Sequence, residues 1–129
     1  MRVIDIADKF RKGYVYFIRA GYFGPIKIGF TTNFKKRLIH LQTGCPEKII
    51  VLVVLKTNQA TELSYHQSYA KINIIGEWFQ PTNELLEEIN LLIKDENDRI
   101  YYDPENPSWE PMNKKQMESL LRYKEAQND

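Results

Sequence analysis

Residues 14–37, YVYFIRAGYFGPIKIGFTTNFKKR, restrict the fold more than any other stretch of the chain. Tyr14, Tyr16 and Ile18 alternate with Val15 and Phe17, the two-residue period of a β-strand. Gly21, Gly24 and Pro25 interrupt that run, after which Ile26, Ile28 and Phe30 alternate with Lys27 and Gly29. A hairpin follows from the two halves. Thr31, Thr32 and Asn33 then offer N-caps to a helix on which Phe34, Leu38 and Leu41 recur at helical spacing. Tyr16 and Lys27 thus lie on neighbouring strands, with Arg37 on the next helix. A phenol, an ammonium and a guanidinium on one surface suit a phosphodiester.

The remaining segments read more simply. Val3, Ile6, Ala7 and Phe10 predict a short N-terminal helix. Gly44 and Pro46 close the helix after the hairpin. The unbroken aliphatic run within 48–56 predicts a third strand covered on both faces and central in its sheet. Thr57 or Asn58 caps a second helix reaching about residue 71. Glu62, His66 and Tyr69 share one of its faces, and Ala60, Leu63 and Ala70 supply its apolar packing. Residues 73–81 are a loop or short extended piece carrying Trp78 and Phe79. Thr82 then starts a third helix with Leu85, Leu86, Ile89, Leu92 and Ile93 as its buried stripe. From residue 95 the composition changes, with Pro104, Pro107 and Pro111 among Tyr101, Tyr102 and Trp109. The expected division is a principal unit over 1–96 and, over 97–129, a strap and helix that pack on it or on a partner.

Composition narrows the class. The chain has 129 residues, enough for a modest core, and its 27% charged residues are ordinary for a folded domain. Its longest aliphatic run is too short to cross a membrane, and no secretory leader is legible at the N-terminus. Cys45, the lone cysteine, rules out an intrachain disulfide and fits a cytoplasmic setting. The net charge of +1 hides an asymmetry, with 11 Lys/Arg against 3 Asp/Glu in residues 1–56 and 7 against 14 in residues 57–129. A basic front half is the footprint of a phosphate-binding face, provided the two halves do not interleave on the surface.

The order Tyr14-Val15-Tyr16, Lys27-Ile28-Gly29, Arg37, Glu62 with His66, and Gly76-Glu77-Trp78-Phe79 resembles the GIY-YIG nuclease superfamily. The resemblance spans roughly residues 13 to 80. Tyr14 stands where the first motif has glycine, and Lys27 where the second has tyrosine. The lysine form is similar to a small phage- and virus-associated branch. What the resemblance implies is an α/β (α+β) fold, a small and mostly antiparallel three-stranded sheet flanked by helices. It further implies a metal-dependent DNA endonuclease holding one Mg²⁺ or Mn²⁺, or else an inactive nucleic-acid-binding module that keeps the fold.

On that reading Tyr16 is the general base or its relay, and Lys27 favours its phenolate by placing a positive charge beside it. Arg37 stabilises the phosphoryl group, Glu62 holds the metal, and His66 either orients Glu62 or protonates the leaving oxygen. Tyr14, Lys35, Lys36 and His40 are expected to contact DNA. Glu77 either approaches the metal or flanks a Trp78-Phe79 anchor, and the anchor is preferred. Taken apart from the family pattern, Tyr16 reads as a core tyrosine, Lys27 and Arg37 as solvated cations, and Glu62 as an ordinary helix-surface glutamate. With no helix-turn-helix or zinc finger legible, specificity is expected to come from a homodimer or a partner protein.

Overall fold

The computed structural model describes residues 10–95 together with Arg99, Ile100 and Arg122. The expected N-terminal helix, Phe10 aside, lies outside the described residues, as does all but three residues of the 97–129 strap and final helix. Six strands form one sheet: β1 (Lys12–Ala20), β2 (Ile26–Thr31), β3 (Ile49–Asn58), β4 (Asn73–Ile75), β5 (Trp78–Phe79) and β6 (Arg99–Ile100). Their order is β4-β5-β2-β1-β3-β6, and every neighbouring pair is antiparallel. The three expected long strands form its middle, and short strands widen it at both edges. Three helices, α1 (Phe34–Thr43), α2 (Gln59–Ser68) and α3 (Asn83–Lys94), complete the α+β fold.

The central strand is β1, flanked by β2 and β3, so the aliphatic run of β3 stands one place from the centre. That run needs no alternation because both of its faces are covered. On one face Val51 and Val54 pack with Tyr16, Ile18 and Phe34, and Leu38 and Leu41 of α1 close over them. On the other, Val53 and Leu55 join Val15, Phe17, Ile26, Ile28, Leu85 and Ile89, beneath α2 and α3. Val51 and Val53 reach opposite faces because the register slips between Phe17 and Ile18, which pair with Val53 and Val51 and leave Leu52 as the extra residue. A bulge of this kind bends the strand and redirects its side chains.

Each helix starts on a side-chain cap. Asn33 accepts from the Lys36 amide at 3.1 Å, Asn58 from Thr61 at 3.3 Å and Thr82 from Leu85 at 3.3 Å. The second helix is shorter than its periodicity suggests, tightening into a 3₁₀ turn over Ala70–Ile72. Its packing also differs from expectation. Ala70 is exposed, and the helix rests on its tyrosines, with Tyr65 edge-on to Phe17 at 5.1 Å. The only fully buried residue of α2 is charged: Glu62. Residues 73–79, expected as loop or extended chain, form the β4–β5 hairpin that docks on the outer edge of β2.

Leu85, in the first turn of α3, is fully buried. Leu85→Ala should lower unfolding free energy by about 2–5 kcal/mol in urea titration, the usual cost of emptying a core leucine site. A loss well under ~1 kcal/mol would show that α3 is not part of the cooperative core.

Candidate functional site

The site begins with a close approach. Tyr16 on β1 pairs across the sheet with Gly29 on β2. A Cβ at Gly29 would lie 2.3 Å from both Cζ and Oη of Tyr16, so the phenol ring lies flat over the glycine. Phe34 of α1 holds the ring's other side, centroids 5.4 Å apart. With residue 29 bare, the Tyr16 hydroxyl has room over β2.

Acidic and basic groups gather at the outer edge of β2. The Ile28 amide donates to the Glu77 carbonyl at 3.0 Å, which brings the β4–β5 turn alongside β2. His66 Nε2 lies 2.8 Å from the Ile28 carbonyl, which fastens α2 to the same point. A carbonyl only accepts, so Nε2 carries the proton. His66 Nε2 also stands 3.7 Å from Glu62 Oε1, and its ring meets Phe79 edge-on at 5.0 Å. Glu62, His66 and Glu77 each offer a ligand atom within 4.8 Å of the others. The charges of Glu77 and, more weakly, of Glu62 both act on the Tyr16 phenol.

The electrostatics correct one expectation. Tyr16 is pushed up to about 12, first by burial, then by Glu77 and more weakly by Glu62. Arg37 opposes them, donating from Nη1 to Tyr16 Oη at 3.5 Å. The cation that favours the phenolate is therefore Arg37. Lys27 instead pairs with Glu77 Oε2 at 3.2 Å and lies over the Trp78 ring, 5.4 Å from its centroid. Its register explains this. Lys27 stands opposite Ile18 on one side and Trp78 on the other, two residues along β2 from the glycine beneath Tyr16.

The structure thus brings together Tyr16, Arg37, Glu62, His66 and Glu77, with Lys27 joined through its ion pair. Glu77 is a member of the cluster and more than a neighbour of the aromatic anchor. Only the family motif placed it near the site, since the hairpin carrying it has no strong signal of its own. Lys35, Lys36 and His40 are exposed on α1, apart from the carboxylates, and Tyr14 stands half-buried two residues before Tyr16. As metal donors, two carboxylates at one strand edge fit a hard divalent cation, which prefers oxygen ligands. His66 can join them only through Nδ1, because Nε2 donates to the Ile28 carbonyl.

Tyr16 keeps its proton in the fold to about pH 12, whereas an unfolded tyrosine releases it near ~10. Its contribution to stability is therefore complete below pH 10 and is lost as pH rises toward 12. Tyr65, raised to about 12 chiefly by burial, acts in the same direction. Tyr16→Phe should flatten the fall of the urea midpoint across this window, and an unchanged slope would refute the buried phenol. Gly29→Ala forces the ring out of its seat and should cost about 1–3 kcal/mol in the same measurement. Equal stability would mean that the close approach is absent in solution.

One protein-family model, described as the T5orf172 domain, matches residues 13–94. The match runs from the start of β1 to the end of α3 and includes every residue of the cluster. No curated protein and no solved structure matches the chain.

Proposed function

Because the chain belongs to the T5orf172 domain family, a family of nuclease-type domains, we propose that it is a metal-dependent DNA endonuclease of GIY-YIG type. The observation that carries this reading is the meeting of Tyr16 and Arg37 with the Glu62–His66–Glu77 cluster at one edge of β2. Those side chains come from one strand, two helices and a hairpin turn, and the cluster encloses a carboxylate side chain, Glu62, with no solvent exposure. Buried charge is costly unless it serves a partner or a ligand.

Glu62 and Glu77 would hold one Mg²⁺ or Mn²⁺, which when bound supplies Lewis acidity and offsets the carboxylate charge. The protein's own groups carry the remaining work. Tyr16 Oη, at the inner end of the site, orients the attacking water and takes up its proton in the phenolate form that Arg37 favours. Arg37 steadies that oxygen and presents its free edge to the phosphoryl group, a task suited to a planar guanidinium. His66, anchored through Nε2 to the Ile28 carbonyl, is a positioning residue that holds Glu62 in place. The exposed Lys35, Lys36 and His40 meet DNA phosphates beyond the reacting centre. Among the described residues no helix is long and apolar enough to cross a membrane.

One observation favours a second reading, a non-cleaving nucleic-acid-binding module. Lys27 pairs with Glu77 at 3.2 Å, so an internal cation already sits on one of the two carboxylates. Supercoiled plasmid separates the two readings. Wild-type protein with Mg²⁺ or Mn²⁺ should nick it. Tyr16→Phe and Glu62→Gln should each slow nicking by about 10²-fold or more, the usual loss when an acid–base or charge-stabilising group is removed. Both variants should still bind DNA in EDTA. Retention of DNA without nicking by the wild type, under either metal, would establish the non-cleaving module instead.

A further inference from the structure

Along β1 the row that contains Tyr16 continues away from the cluster into a cavity. Its lining includes Phe10, Lys12, Tyr14, Thr32, Lys56 and Asn58, and its volume is about 530 Å³. Register shows why these residues meet. Tyr14 pairs with Thr31 on one side and Lys56 on the other, and Lys12 pairs with Asn58. With alternate residues pointing the same way, Lys12, Tyr14, Tyr16 and Lys56 share a face. Two ammonium groups, both exposed, flank a half-buried phenol ring, and the Phe10 ring stands 66% exposed at the rim.

From this geometry we infer that the cavity is a subsite for one unpaired nucleotide next to the scissile phosphate. The inference rests on the nuclease reading and narrows its substrate class to DNA with a frayed, flapped or single-stranded segment at the cut. Three observations support it. At about 3.3 Å per strand residue, Tyr14 lies roughly 7 Å and Lys12 roughly 13 Å along β1 from Tyr16, the scale of neighbouring nucleotides. Lys12 and Lys56 supply the charge that a continuing phosphate backbone requires. Tyr14 and Phe10 offer π-faces, and base–aromatic stacking needs a base whose own face is free of a stacked neighbour. A duplex held in register would present its phosphates here and leave the aromatic faces unused.

Fluorescence anisotropy on the full chain, in EDTA so that nothing is cut, tests this with two labelled probes. One is a short duplex, and the other is the same duplex with an unpaired tail of a few thymidines. Wild-type protein should prefer the tailed probe by about tenfold or more, the range expected of one stacked base. Tyr14→Leu should weaken the tailed probe far more than the duplex and so erase that preference, and Tyr14→Phe, which keeps the ring, should retain it. Lys12→Ala and Lys56→Ala should weaken both probes together and lower the salt slope by about one each. Equal affinity of the wild type for both probes would overturn the inference, as would a Tyr14→Leu loss shared equally by the two. Thermal melts of each variant identify any that fail to fold, and Tyr14→Phe then carries the comparison. The plasmid assay is scored apart. Nicking without a tail preference sinks the subsite alone, whereas a tail preference without nicking sinks the endonuclease and leaves the cavity as a binding site for an unpaired nucleotide, with no cut beside it.

Discussion

A tyrosine ring lying on a glycine holds the site together. Tyr16 belongs to the central strand and is fully buried, so it would ordinarily be only a core residue. The missing side chain at Gly29 lets the ring and its hydroxyl lie over the neighbouring strand. Phe34 fixes the ring from the helix side. Through that one contact, the hydrophobic packing of α1 on the sheet also sets the position of the phenol oxygen. That oxygen is consequently held by the core itself, as the role proposed for it requires.

Charge at this edge is balanced within a few residues. Glu62 is enclosed entirely, with His66 one helical turn away, and Glu77 meets Lys27. Arg37 reaches the phenol from the exposed side. Two carboxylates raise the phenol's pKa and one guanidinium lowers it, with desolvation the strongest influence of all. The protonation state of Tyr16 is therefore responsive to whatever offsets those carboxylates. Lys27 fills that role at Glu77, and in the proposed reading a divalent cation would have to take its place there for the site to cut.

Much of this was legible in the chain itself. Alternation through 14–30 predicts the hairpin, Asn33, Asn58 and Thr82 mark the helix starts, and the apolar stripe of α3 buries Leu85 and Ile89 as its spacing demands. The bulge at Leu52 was not legible, because an unbroken aliphatic run gives no sign of which residue changes face. The packing of α2 was misread for a related reason. Its tyrosines can bury their rings and still keep the hydroxyls in reach of solvent or Glu88, so their polarity conceals a core role. Lys27 was placed beside the phenol by motif order, whereas pairing across two strands sets it against Trp78 and Glu77.

The sequence by itself determined the elements, their order, and the set of side chains able to handle a phosphodiester, since periodicity, caps and residue chemistry are local properties. Which cation attends Tyr16, that Glu62 is buried beside His66, and what Glu77 pairs with were decided only in the folded chain. Each depends on strand register and on the space above Gly29. Those are relations between segments far apart along the backbone, and no local pattern encodes a distance between them.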